Sequence, residues 1–77
     1  MSTANGTRLA RRFAANLRKR REGMDLSQGA LAARAGYSKA TVTAIERGTR
    51  TATLETIEHL AAALNVYDPR KMFWGKL

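Results

Sequence analysis

The stretch SQGALAARAGYSKATVTAIERG, residues 27–48, predicts two short helices joined by a tight turn. Ser27 and Ser38 are each suited to an N-cap, because a serine hydroxyl can accept a backbone N–H at the start of a helix. Gly36 and Gly48 can each take the positive φ that ends a helix, because glycine has no Cβ to clash. The stretch therefore predicts two helices, at residues 27–35 and 38–47.

The second of these helices has two unlike faces. Val42 and Ile45 lie on one face at helical spacing and are suited to a core. The opposite face and its flanks carry small residues, hydroxyls and cations, namely Lys39, Ala40, Thr41, Thr43, Ala44 and Arg47. That face has no large apolar group to bury, so it suits a helix lying against the base edges and phosphates of a DNA major groove.

The charge balance also indicates an anionic partner. The chain has 14 Lys and Arg against 6 Asp and Glu, a net charge of +8, and a pI near 11.2. A domain with a pI above about 9 fits a polyanion. Charge alone leaves nucleic acid and a lipid surface open. The membrane alternative is the weaker one, because Arg21 interrupts the apolar face of the first helix.

Length and composition exclude several classes of protein. Seventy-seven residues allow one small domain, and the absence of cysteine excludes disulfides and thiolate zinc sites. No apolar run approaches the roughly 18 residues of a membrane span, and the first residues lack a secretory core. His59 stands alone, and no paired carboxylates or nucleophile–base set is present. We expect no enzyme, metal, cofactor, small-molecule ligand or membrane, and a cytoplasmic, nucleoid-associated location.

The flanking segments predict three more helices. Residues 1–6 are expected to form a disordered tail, and Thr7 is suited to cap a first helix that runs to about Glu22. Thr53 is suited to cap a fourth helix, and Asp68 followed by Pro69 is typical of the start of a fifth. Apolar residues recur with a helical period in the first and fourth helices, as Leu9, Phe13, Leu17 and as Leu54, Ile57, Leu60, Ala61, Leu64. The expected architecture is all-α, a compact bundle of five helices spanning residues 7–77.

Two charged residues fall on predicted apolar faces. Continuing the stripe of the first helix by four residues leads to Arg21, and Glu46 lies on the apolar face of the third helix. A charge in such a position needs a partner. We therefore expect Arg21 and Glu46 to form a largely buried ion pair; the alternative is that both are merely solvated. Such a pair fixes helix orientation more than it stabilises, because desolvation offsets much of the attraction.

The C-terminal segment carries four large apolar residues, Met72, Phe73, Trp74 and Leu77. They can cover the core of the domain or face a second copy of it. A chain this small cannot bury four such groups internally without leaving one partly exposed. The residues alone leave both interpretations open.

With these elements in place, the chain resembles the Xre/Cro-type helix-turn-helix family of phage repressors and bacterial regulators. The resemblance covers roughly residues 13–73 and rests on LSQGALAARAGYSKATVTAIERG and TLETIEHLAAALNV. It implies a lambda-repressor-like fold of five helices in which the second and third form the DNA-reading unit. It also implies dimerisation through the C-terminal helix, so we expect a homodimer whose interface is formed by Met72, Phe73, Trp74 and Leu77.

The resemblance assigns roles to single residues. Base-reading positions are Lys39, Ala40, Thr41 and Ala44. Positions at the DNA backbone are Gln28, Ser38, Thr43, Arg47, Thr49 and Arg50. Arg21 and Glu46 match the helix-one arginine and helix-three glutamate of the family. With alanine at positions 40 and 44, Lys39 is the main candidate for a hydrogen bond to guanine, and DNA shape supplies much of the remaining specificity.

The function expected from the sequence is sequence-specific binding of double-stranded DNA by a transcriptional regulator. It would act as a homodimer on a near-palindromic operator and would either block polymerase or help to recruit it. Three settings remain open: a restriction–modification controller, a phage repressor and a housekeeping regulator. A second class of function is an antitoxin that binds a toxin and also represses its own operon, although no extra tail to wrap a toxin is evident.

Overall fold

The computed structural model describes residues 7–74, with side chains described as far as Phe73, and this part of the chain folds into five α-helices without a strand. In order they are α1 (Arg8–Gly23), α2 (Gln28–Ala35), α3 (Lys39–Arg47), α4 (Leu54–Ala63) and α5 (Lys71–Trp74). The predicted all-α architecture of five helices is confirmed. The tail expected at residues 1–6 lies outside the described residues.

Each of the first four helices begins after a hydroxyl side chain that accepts the backbone N–H three residues further on. The oxygen–nitrogen distances are 3.0 Å at Thr7, 3.0 Å at Ser27, 3.1 Å at Ser38 and 3.1 Å at Thr53. Each bond satisfies one of the donors that a helix start leaves without an internal partner. All four N-caps agree with the prediction.

Each of the same four helices is followed, within two residues, by a residue in the left-handed backbone region. Gly36 (φ 83°) and Gly48 (φ 80°) take this conformation as predicted, and Asn65 (φ 62°) takes it after α4. After α1 the left-handed residue is Asp25 (φ 58°) rather than Gly23, which remains the last residue of the helix. Asp and Asn tolerate this region better than other side chains, because they can hydrogen-bond locally.

The core is built from one face of each helix. α2 packs against α3 and α4, while α1 packs against α3 and α5. Among the described residues, those with no exposed surface come from all five helices: Leu17, Leu31, Val42, Leu60, Ala61 and Met72. This packing turns the inner faces of α2 and α3 toward the rest of the molecule and leaves their outer faces available.

Two of the predicted core residues lie at the surface. Leu9 is 48% exposed and Leu54 is 82% exposed, although both belong to the predicted apolar stripes. Each occupies the first turn of its helix. A helical period shows which face is apolar but not where the packing against that face begins.

The fifth helix begins later than predicted. The Asp68 carboxylate accepts the backbone N–H of Arg70 at 3.0 Å, so Asp68 acts as a cap, but residues 69–70 form a turn and α5 starts at Lys71. α5 is tied to α1 by Asn16, whose buried side-chain amide donates to the carbonyl of Met72 at 2.7 Å. The sequence analysis had assigned no role to Asn16.

Candidate DNA interface

The outer face of α3 is open to the surroundings, and its inner face is anchored. Val42 and Ile45 are buried in the core. On the outer face Lys39, Ala40 and Arg47 are exposed, and three further residues are partly exposed: Thr41, Thr43 and Ala44. This is the division predicted from the sequence, and it leaves a helix-wide surface of small, polar and cationic groups.

The predicted ion pair holds the C-terminal end of α3. Arg21 Nε donates to Glu46 Oε2 at 2.7 Å, and Arg21 Nη2 donates to Glu46 Oε1 at 3.1 Å. The side chains are 11% and 3% exposed, so the pair is largely buried as expected. The hydrogen bond and the charge of Glu46 raise the pKa of the Arg21 guanidinium above its usual value, although burial acts in the opposite direction.

Arg21 also closes the turn between α1 and α2. Its Nη1 donates to the carbonyl of Leu26 at 2.8 Å, and the N–H of Leu26 donates to the carbonyl of Arg21 at 3.1 Å. One guanidinium therefore joins α1, the entry to α2 and the end of α3. A planar group with five donors in fixed directions suits this position, which a lysine could not satisfy in the same way.

Gln28, expected at the DNA backbone, extends this network along the inner side of the reading unit. Its Nε2 donates to Glu46 Oε1 at 3.0 Å, and its Oε1 accepts from Thr43 Oγ1 at 2.8 Å. The amide orientation follows from chemistry, because an ionised carboxylate only accepts and must face the NH₂ end. One Nε2 hydrogen remains for a group outside the protein. The sequence analysis did not predict these inward bonds.

The residues at the N-terminal end of α3 differ in how firmly they are held. Thr41 Oγ1 lies 3.0 Å from Ser38 Oγ and accepts from Arg50 Nη1 at 3.4 Å. Lys39 is exposed, and its Cδ lies 4.0 Å from the position that a Cβ on Gly29 would occupy. The lysine stem therefore crosses toward the first turn of α2, and its charged end is available to a ligand.

The loop after α3 is attached to the helix. Thr49 donates to the carbonyl of Ala44 twice, from its backbone N–H at 3.0 Å and from its hydroxyl at 3.2 Å. Arg50 reaches back to Thr41. The structure therefore brings Arg50 to the N-terminal turn of α3 and holds Thr49 against the C-terminal half of the same helix.

A hydrogen-bonded cluster supports the turn between α2 and α3 from α4. The hydroxyl of Tyr37 lies 3.3 Å from Thr56 Oγ1 and 2.9 Å from His59 Nδ1. His59, to which no role was assigned, thus belongs to the support of the turn. No group of three His, Cys, Asp or Glu side chains suited to a metal occurs within residues 7–74.

The expected dimer residues do not form one surface. Met72 is 0% exposed, so its assignment to a dimer interface was wrong: it fills the core between α1 and α5. Phe73 is partly buried, with its ring centroid 5.4 Å from that of Phe13. The side chain of Trp74 and all of Leu77 lie outside the described residues. The cluster therefore contributes to the domain's own core through Met72 and partly through Phe73.

No helix in the described part of the chain has the length and apolar character needed to cross a bilayer.

Among known proteins, the chain matches the family described as Helix-turn-helix over residues 17–70. It is similar to the crystal structure of the restriction-modification controller protein C.AhdI from Aeromonas hydrophila. The identity is 38%, the TM-score is 0.79, and the match covers 83% of this chain and 96% of that one. No curated protein matches the chain at a significant level.

Proposed function

The chain belongs to the Xre-type helix-turn-helix family of DNA-binding transcription regulators, which are not enzymes, and from this premise we propose that it binds a near-palindromic operator as a homodimer. In this proposal α3 lies in the major groove of double-stranded DNA. The observation that carries it is the division of α3 into an anchored inner face and an outer face of exposed Lys39, Ala40 and Arg47. A helix with this outer face can approach base edges without leaving apolar surface in water.

The proposed readers are at the N-terminal half of α3. Lys39 approaches guanine O6 and N7, and Ala40 and Ala44 meet thymine methyl groups, with Thr41 beside them. Because few side chains can donate or accept hydrogen bonds here, the shape of the DNA supplies part of the specificity.

Other residues hold the phosphates on either side of the readers. Arg47 is exposed at the end of α3, and Arg50 lies on the loop that is bonded to Thr41. Gln28 has one amide hydrogen left for a phosphate at the first turn of α2, where the backbone N–H groups also favour an anion. Ser38, Thr43 and Thr49 complete the proposed backbone set.

A homodimer fits the dimensions of the molecule. The domain measures 35 × 26 × 20 Å, so two copies side by side can present their α3 helices about 34 Å apart, one turn of DNA. A two-fold arrangement would make the operator near-palindromic. We propose that residues 7–77 form one DNA-binding domain whose C-terminal end joins the two copies through Phe73, Trp74 and Leu77, while Met72 remains in the core.

Of the biological settings, a restriction–modification controller has the most direct support. C.AhdI is described as such a controller, and it matches 83% of this chain with 38% sequence identity. An antitoxin remains the second candidate class from the sequence. Co-purification of a protein encoded by a neighbouring gene would favour it.

Selection of bound sequences from random duplex DNA tests the proposal. The expected result is a preferred site with two-fold symmetry and half-sites about one turn apart. Sedimentation at micromolar concentration should give a species of twice 8.5 kDa. Binding without any sequence preference would contradict the reading role of α3, and a monomer at every concentration would contradict the homodimer.

A further inference from the structure

A basic groove lies beside the proposed DNA surface, between the outer face of α1 and the C-terminal end of α3. It is an open hollow of about 590 Å³. Ala14 and Ala15 line it from α1, and Arg47 and Gly48 line it at the end of α3. The small side chains of the two alanines leave room for a ligand backbone to approach α1 closely.

The charges around this groove are mostly positive. Arg11, Arg18 and Lys19 line it from α1, and Arg47 lines it from α3. Within residues 7–73, Arg18 is paired with Glu22 at 3.1 Å, whereas Arg11, Lys19 and Arg47 have no carboxylate within 4.0 Å. Three cations of the groove are therefore available to an external anion.

The carboxylates of the groove are already occupied. Glu22 is bonded to Arg18 and lies 3.9 Å from Arg21. Glu46 accepts from Arg21 and Gln28, and its side chain is only 3% exposed. Neither carboxylate repels an approaching anion as strongly as an unpaired one would, so the groove as a whole attracts negative charge.

We propose that this groove holds the phosphodiester backbone of the bound duplex, on the side of Arg47 that faces away from the base-reading residues. The inference rests on the proposed function and deepens it, because α1 then acts as a second backbone clamp that reads no sequence. Two features favour DNA over an acidic protein: the groove is continuous with Arg47 on α3, and its lining combines cations with small residues, without a large apolar side chain.

Two single substitutions and a matched control test this clamp. Arg11→Gln and Lys19→Gln each remove one charge from the groove. Arg34→Gln removes one charge from the last turn of α2, at the opposite end of that helix from Gln28. Binding of a duplex carrying the selected site, and of a random-sequence duplex, is measured between about 0.05 and 0.3 M salt. Circular dichroism of each variant confirms the fold.

Each groove variant should lose affinity about fivefold per bound protomer at 0.15 M salt, equally for both duplexes. The log–log salt slope should fall by about 0.9 per protomer. Arg34→Gln should change the affinity less than about twofold and leave the slope unchanged. Groove variants that behave like Arg34→Gln would overturn the clamp.

Neutral methylphosphonates substituted one at a time in the selected site identify the phosphates involved. A phosphate held by Lys19 should matter to the wild type and no longer matter to Lys19→Gln. Equal penalties in both proteins at every position would overturn the contact. If the wild type binds no duplex, the proposed function itself fails; if the wild type binds its site but the groove variants match the control, only the clamp fails.

Discussion

Arg21 and Glu46, 25 positions apart in the chain, meet in a two-pronged ion pair with nitrogen–oxygen distances of 2.7 and 3.1 Å. The pair joins the end of α1 to the end of α3, and Gln28 adds a bond from α2 to the same carboxylate. Three helices therefore converge on Glu46, which makes it the point from which the orientation of α3 is set.

Replacing Glu46 should lower the free energy of unfolding more than replacing an exposed glutamate. Glu46→Ala leaves a buried guanidinium without its carboxylate, which costs about 3–5 kcal/mol of unfolding free energy. Urea unfolding measures the loss, and Glu58→Ala on the exposed face of α4 serves as control, with a change under about 0.5 kcal/mol. The double variant Arg21→Met, Glu46→Leu should regain most of the loss. Equal losses for Glu46→Ala and Glu58→Ala would contradict the pair's role.

The bond between Thr43 and Gln28 can be removed with little change of shape. Thr43→Val keeps the branched side chain but removes the donor that Gln28 Oε1 accepts at 2.8 Å. We expect a loss of about 1 kcal/mol in unfolding free energy. Thr51→Val, in the exposed loop after α3, is the control and should be nearly neutral. If both valine variants unfold at the same urea concentration, the bond contributes nothing.

Two glycines of the reading unit should respond in opposite ways to alanine. At Gly29 an added Cβ would lie 4.0 Å from Lys39 Cδ and Ser27 Oγ, an ordinary contact, so Gly29→Ala should stabilise the helix by up to about 1 kcal/mol. At Gly36 the backbone has φ +83°, so Gly36→Ala should destabilise by about 1–2 kcal/mol. Thermal unfolding of the two variants checks the signs, and a shift in the same direction would refute this explanation.

Lys39 and Arg47 should affect DNA binding differently. Lys39→Ala should lower discrimination at one base pair by about 1–3 kcal/mol, because it removes the longest side chain among the proposed base-reading residues. Arg47→Ala should weaken all sequences nearly equally and lower the salt slope by about 0.9 per protomer. Repeating the selection with each variant separates the two effects. An unchanged site preference for Lys39→Ala would remove Lys39 from the readout.

The lowered pKa of Asp68 predicts that the stability of the fold depends on pH. The side-chain and backbone hydrogen bonds from Arg70 lower the pKa of Asp68 from 3.8 to about 2. A carboxyl group with a lowered folded-state pKa stabilises the fold above about pH 4 and loses that contribution as the pH falls to about 2. The thermal midpoint of the wild type should exceed that of Asp68→Asn at pH 6, and the gap should close near pH 2. A difference between the two midpoints that does not change with pH would contradict the lowered pKa of Asp68. High salt should also reduce this difference, because Arg70 is exposed.

The parts of the fold that follow local rules could be predicted from the sequence. The caps at Ser27 and Ser38 and the left-handed Gly36 depend on neighbouring residues alone, so the reading unit was placed correctly. The Arg21–Glu46 pair could be predicted because each charge interrupts an apolar stripe.

The remaining features depend on how elements meet in space. Gln28 lies at the start of α2, and nothing local shows that its side chain turns inward to Thr43. Leu54 belongs to an apolar stripe, but its exposure depends on where the covering elements end. Met72 was assigned to an interface because the C-terminal segment is rich in large apolar residues. Composition does not show which of these residues is buried, and Met72 is enclosed where α5 packs against α1. Asn16 lies between Phe13 and Leu17 on the buried face of α1, and that position was the available signal for its bond to Met72.

The support of the reading unit lies behind it, in the bonds of Tyr37 to α4 and of Arg21 and Gln28 to Glu46. Lys39 and Ala40 take no part in these bonds, and both are exposed. Their identities can therefore change without disturbing the scaffold. With the proposed role of these positions in base reading, substitutions there would change the preferred DNA site of a protein in this lineage while leaving its fold intact.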